Sequence, residues 1–190
     1  DVLSRLSEVS IDYVEQPVAT VSDMVLLKKR IEGHGIRLAA DELIRDQNGI
    51  EELTSADVAD VVVLKVSPLG GIRATQQLAK QAQAAGLEVV LSSALETSIG
   101  LSWGIRAAAL VRQELGTLPD AGLGTSVFFT EDVTANPIHI SDGAVAVRET
   151  EIDPNQLNKL SASADRIQWW RDRLRRCLPL ALEMLEHQSN

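Results

Sequence analysis

Glu15, Asp41, Lys65 and the pair Ser92-Ser93 are the residues of this chain whose types and spacing could do chemistry. Each closes a short apolar run: Tyr13-Val14-Glu15, Leu38-Ala39-Ala40-Asp41, Val61-Val62-Val63-Leu64-Lys65 and Val89-Val90-Leu91-Ser92, with steps of 26, 24 and 27 residues between them. Two carboxylates brought to neighbouring strand ends repel unless a cation lies between them. Ligands that are oxygen only suit a hard divalent ion such as Mg²⁺, with Mn²⁺ as the alternative. Glu15 and Asp41 are therefore candidate metal ligands. Taken singly, each could instead cap a helix or pair with an arginine, and Glu42 beside Asp41 shares that reading.

Lys65 ends the most apolar run of the chain, where an unpaired ammonium is costly. It either lays its stem along the wall and pairs with Asp41 or Glu42, or serves as an acid, base or charge beside a metal-bound anion. Burial would lower its pKa and the carboxylates would raise it, so the sign stays open at this point. Ser92 and Ser93 open the stretch Ser92-Ser93-Ala94-Leu95-Glu96-Thr97-Ser98-Ile99-Gly100. No histidine stands near them, which argues against a nucleophilic serine. Small hydroxyls and N–H groups ahead of a helix suit a substrate carboxylate, and a helix-capping turn is the other reading.

The interval between these residues fits one strand, one helix and two loops, so the repeating unit reads as βα. Each unit would then present its polar group at the C-terminal end of a parallel strand, the catalytic face of a β/α barrel. Strands are expected at 11–15, 36–40, 61–66 and 87–91. Helices are expected from Ser22 or Asp23 to about Gly33, over 50–58 after an Asn48-Gly49 turn, over 72–85 and over about 99–115. Gly122-Leu123-Gly124 lacks the strand–turn–helix setting of a dinucleotide fingerprint. It leads to Val127-Phe128-Phe129, which reads as a last barrel strand. After about Glu131 the rhythm changes. Ser141-Asp142-Gly143 lies between strand-like runs, as in a hairpin. A helix from about Asp165 to Glu186 carries Ile167, Trp170, Leu174, Cys177 and Leu178 on one stripe. The division is thus 1–132 for the barrel part and 133–190 for a hairpin and helix that return to pack elsewhere.

With 190 residues, 45% hydrophobic and 24% charged, the chain can bury a core and is not composed like a disordered one. Eighteen Lys and Arg against 27 Asp and Glu give a net charge of −9, which argues against nucleic acid or an anionic membrane as partner. A single cysteine, Cys177, fits a reducing cytoplasm. His34, His139 and His187 show no zinc spacing. No segment reads as a signal peptide or a membrane span. Residues 1–10 have the spacing of a helix cut open, so an upstream region is expected.

Glu15-Gln16-Pro17, Ala40-Asp41-Glu42 and Lys65 followed by Gly70-Gly71 together resemble the enolase superfamily, in its muconate-lactonising-type branch. The resemblance covers nearly the whole chain. The Ser92–Gly100 stretch, Gly122-Leu123-Gly124-Thr125, Asp142-Gly143 and Trp169-Trp170-Arg171 are similar to the o-succinylbenzoate synthases of that superfamily, in their actinobacterial form. The fold implied is α/β, the C-terminal portion of a (β/α)7β TIM-like barrel. Its C-terminal segment would return to an α+β capping domain absent from this sequence. The resemblance implies Glu15 and Asp41 as the second and third ligands of Mg²⁺, and Lys65 as the sixth-strand member of the catalytic lysine pair. It implies a small-molecule carboxylate substrate, dehydrated through an enediolate to o-succinylbenzoate. The second-strand Lys-x-Lys and the first Asp ligand of the family pattern are not among these residues and are expected upstream of Asp1; the chain without them is expected to be inactive. Racemisation of N-succinylamino acids, or epimerisation of dipeptides, would use the same groups. A third reading is a non-catalytic half barrel whose open sheet edges demand a partner. Oligomeric state is open.

Overall fold

The structure, a computed structural model, describes residues 11–188; the helix expected over residues 1–10 lies outside them. Four strands form one parallel sheet in the order β1-β2-β3-β4: β1 (Tyr13–Glu15), β2 (Arg37–Ala40), β3 (Val61–Lys65) and β4 (Glu88–Ser92). Between and after them run α1 (Val21–Arg30), α2 (Gln47–Ser55), α3 (Ile72–Ala84) and α4 (Ser98–Leu115). Four strands laid down in sequence order, each followed by a helix, make a consecutive piece of a β/α barrel, as the spacing predicts.

Local chemistry sets the helix starts. Thr20 caps α1, its hydroxyl accepting from the Asp23 N–H at 3.1 Å, so the cap lies two residues before the expected Ser22. Asp23 in the first turn and Lys28, Lys29 and Arg30 in the last complement the helix dipole. Asp46 caps α2 through the N–H groups of Asn48 and Gly49. The expected Asn48-Gly49 turn is therefore the first turn of a helix, because the Asp46 carboxylate satisfies amides that a turn would leave to water.

Strand alternation sorts the apolar residues into two layers. Leu38, Ala40, Val62, Leu64, Val89 and Leu91 face the helices and pack on Met24, Ile50, Leu53 and Leu78. Ala39, Val61, Val63 and Val90 form a smaller cluster on the opposite, inner face, with Tyr13 against it. Val61 to Leu64 are all buried, as a strand covered on both faces must be. At the strand starts the inner face carries Arg37, ion-paired to Glu88 and to Asp12.

Two expectations need correction. Val127-Phe128-Phe129 is not a strand: Thr125–Phe128 is a 3-10 helix, with Val127 and Phe128 70% and 75% exposed. The neighbour of β4 is instead Gly122, through a single parallel bridge to Ser92. Apolar residues in a row do not make a strand where no ladder partner is free to receive them. The hairpin likewise shrinks to its turn. Asp142 and Gly143 both have positive φ, 51° and 71°, and the Ser141–Ala144 bridge is the only pairing there. The segment before it packs Ile138 on Leu101, Ile105 and Leu123, which ties it to α4 and to the residue after Gly122.

Two further helices follow, α5 (Pro154–Lys159) and α6 (Ala164–Gln188). The expected stripe on α6 is present and stays in solvent, with Trp170, Leu174 and Leu178 each at least half exposed. Among the described residues no helix is long and apolar enough to cross a membrane.

Candidate active site

Glu15, Lys65 and Ser92 are the last residues of β1, β3 and β4, and Asp41 follows the last residue of β2. Each stands two positions beyond a residue of the inner-face cluster, so the period of 2 puts all four on that face at the C-terminal rim. The structure therefore brings the candidate residues of four separate units to one mouth. Lys65 and Ser92 are direct register partners.

Lys65 forms an ion pair with Asp41, and its Nζ lies 4.0 Å from Glu15 Oε1. The Asp41 side chain is 8% exposed, that of Lys65 21% and that of Glu15 44%. Of the two readings of Lys65, pairing with Asp41 is the one seen. Glu42 is exposed and is not an ion-pair partner of Lys65, though its charge adds slightly to the pressure on Glu15.

Burial pushes the Glu15 carboxyl above its usual range. Asp41 adds to this by hydrogen bonding and by repulsion, while Lys65 offsets part of it. One ammonium thus only partly relieves two adjoining carboxylates. That residual repulsion, with oxygen as the sole donor type, fits a hard divalent cation. Glu15 and Asp41 would supply two of its ligands; among the described residues no third His, Cys, Asp or Glu completes a set.

The serines are built into the closure of the sheet. Ser92 and Ser93 both donate their hydroxyls to Gly122 O, at 3.2 and 3.1 Å, and the Ser93 N–H donates to the same oxygen at 3.1 Å. Ser93 is buried and its Oγ also lies 3.0 Å from Thr125 Oγ1. Ser92 is the more open of the two and has the longer hydroxyl bond, so it is the freer to turn toward a ligand. A Cβ on Gly122 would fall 2.8 Å from Ser92 Oγ, so a larger residue there would require the hydroxyl to turn away.

Two further residues, neither marked by the strand-end spacing, also shape the rim. Gln16 Oε1 accepts from the Asp41 N–H at 2.9 Å and from the Leu43 N–H at 3.3 Å. A glutamine directly after a strand-end glutamate and before a proline was its one visible sign. Asp132 accepts from both the N–H and the hydroxyl of Ser98, at 2.9 and 2.7 Å, and so caps α4 from 34 residues away. Thr97, the local cap position, makes no side-chain bond of its own. No signal in the sequence could have matched Asp132 to that helix.

Residues 1–151 match the family described as enolase C-terminal domain-like. The chain is 44% identical over 171 residues to the o-succinylbenzoate synthase of Mycobacterium ulcerans, a match covering 90% of this chain and 49% of that protein. It is 40% identical over 174 residues to the o-succinylbenzoate synthase of Mycobacterium tuberculosis, with the same two coverages. The chain thus spans about half the length of the relatives it matches. Among solved structures it is similar to the N-succinyl Arg/Lys racemase of Bacillus cereus, with a TM-score of 0.72 and 25% identity over 85% of this chain and 43% of that one. It is also similar to the muconate lactonizing enzyme of Pseudomonas fluorescens complexed with muconolactone, with a TM-score of 0.71 and 28% identity over 81% and 42%.

Proposed function

The chain belongs to the enolase C-terminal domain-like family, and on that premise we propose that it carries the C-terminal half of the active site of an o-succinylbenzoate synthase. The reaction is the loss of water from 2-succinyl-6-hydroxy-2,4-cyclohexadiene-1-carboxylate to give o-succinylbenzoate, a step of menaquinone biosynthesis in the cytoplasm. The observation that carries the reading is the convergence of Glu15, Asp41 and Lys65 on one rim. The 44% identity to a protein of that name supports the choice of reaction.

A carbon acid α to a carboxylate is very weak, so its removal needs positive charge close to the carboxylate oxygens. Mg²⁺, held by Glu15 and Asp41 together with a ligand from outside the described residues, would supply that charge. Lys65 is the member of the acid/base pair that this chain contributes. Its ammonium, held against Asp41, places both a charge and a transferable proton at the mouth. The proton lost from carbon and the hydroxide lost from the ring together make the water released. Ser92 and Ser93 would hold a substrate carboxylate, Ser92 by turning its hydroxyl away from Gly122 O. The exposed stripe of α6 would be what the expected capping domain covers.

The test is turnover by the intact protein. Dehydration that requires Mg²⁺ and is abolished in Lys65→Ala is the expected result. An intact protein that melts at the same temperature with and without Mg²⁺ and o-succinylbenzoate, and turns nothing over, overturns the proposal. The likeness to an N-succinylamino acid racemase makes racemisation of N-succinylarginine the second substrate to assay. Racemisation without dehydration would keep the site and change the reaction.

A further inference from the structure

Gln16 sits where β1 must stop and where the chain after β2 must be held. Its backbone N–H still belongs to the sheet, donating to Ala39 O at 2.9 Å. Its φ of 39° then turns the chain into the left-handed region, which a residue with a long side chain seldom occupies. Pro17 follows and has no N–H with which to continue a ladder. The turn throws the Gln16 side chain across the ends of two strands. Oε1 accepts from the N–H groups of Asp41 and Leu43, while Nε2 donates to Val18 O at 2.6 Å. Three backbone groups from two loops thus converge on one amide, and each matches its donor or acceptor side.

The consequence falls on Asp41. β2 ends at Ala40, so the Asp41 N–H has no ladder partner, and Gln16 supplies its acceptor. Without that acceptor, two part-buried amides would have to seek water, and the turn carrying Asp41 would be free to rotate. Glu15 is joined to Gln16 by a peptide bond, so the same fixed turn also sets where its carboxylate emerges.

We infer that Gln16 is a positioning residue that locks the Glu15 and Asp41 carboxylates into one register for a divalent cation. The inference rests on the metal-site reading proposed above and adds to it a residue that touches neither metal nor substrate. Only an oxygen acceptor of this length does the work. Gln16→Met keeps the shape and loses the acceptor. Gln16→Glu keeps an acceptor for Asp41 and Leu43, but it loses the bond to Val18 O, sets a second acceptor against that carbonyl and adds a negative charge beside the two carboxylates.

The experiment is Mn²⁺ binding by the intact protein, read from the paramagnetic resonance of free Mn²⁺, with thermal melting in parallel. Gln16→Met is expected to weaken binding by about 10- to 100-fold, the usual range for groups that orient metal ligands. Gln16→Glu, which keeps the acceptor, is expected to bind Mn²⁺ more tightly than Gln16→Met. Equal Mn²⁺ affinity in the parent and Gln16→Met overturns the inference and leaves the metal site standing. Absence of Mn²⁺ binding in the parent overturns the metal site itself and the inference with it. If Gln16→Met does not fold, Gln16→Asn carries the test: its amide is one methylene too short to reach the Asp41 and Leu43 N–H groups, so a loss of about tenfold is expected and parent-like Mn²⁺ affinity overturns the inference.

Discussion

Glu15 Oε1 lies 4.0 Å from Lys65 Nζ, although two strand-and-helix units separate these residues in the chain. The ammonium is committed to Asp41 and reaches Glu15 only at the limit of an ion pair. Glu15 is consequently the less satisfied of the two carboxylates, and Lys65 is the cation that a metal would have to share them with.

Lys65→Met keeps the stem and removes the charge. In the intact protein, activity is expected to fall by at least about 100-fold, the lower end of what a positioned acid or base supplies. The metal-free variant should also melt lower, because it leaves the Asp41 carboxylate buried and unpaired. Added Mg²⁺ should raise the melting temperature of the variant more than that of the parent, since nothing then competes for Asp41. Equal Mg²⁺ shifts in the two proteins would show that Lys65 and the metal do not share a ligand.

The raised pKa of Glu15 has a defined pH signature in the presence of chelator. The folded state binds this proton more tightly than the unfolded one, so stability falls as pH rises between the ordinary Glu value and the raised one. The cost is complete above that window and gone below it. Glu15→Gln is expected to melt above the parent at pH 8 and to lose that advantage as pH drops below the ordinary Glu value. Melting curves of both proteins over pH 4–8 measure it, and a pH-independent difference would contradict it.

Gly122→Ala places a Cβ within 2.8 Å of Ser92 Oγ. The serine has to turn aside and give up its 3.2 Å bond to Gly122 O, so a loss of about 0.5–1.5 kcal/mol is expected, the net worth of one hydrogen bond. Ser92→Ala in the same chain removes the clashing oxygen and should recover part of the loss. Denaturant titration of the two single variants and the double variant gives the coupling.

Ser98→Ala deletes an oxygen that donates to Asp132 and accepts from the Ile138 N–H at 2.8 Å. Both partners are left in a buried setting, for an expected cost of about 1–3 kcal/mol. Asp132→Ala removes the remote cap of α4 and should cost a similar amount. The double variant should cost less than the sum, because the two groups act on each other. Hydrogen exchange at the first turn of α4 would show whether the loss is local to that helix end.

The βα order and the four strand-end residues were legible in the sequence, because short unbroken apolar runs recur at steps of 26, 24 and 27 residues. Each run marks a strand, and the one polar group that closes it marks where the strand meets the rim. The alternation of side chains along a strand then assigns Glu15, Asp41, Lys65 and Ser92 to one face once the strands are parallel. Tertiary structure alone decided how their charges combine. Lys65 had Asp41 and Glu42 as candidate partners, and the choice of Asp41 depends on side-chain direction across the sheet, not on spacing. The Gln16 bridge, the Ser92–Gly122 closure and the Asp132 cap each join residues between 25 and 34 positions apart. Each is a polar group satisfying a backbone partner that only the folded chain brings within reach, and hydrogen bonds of that kind leave no periodic trace in a sequence. The Val127-Phe128-Phe129 segment teaches the converse: its residues have strand propensity, but a strand exists only where a neighbouring edge accepts it.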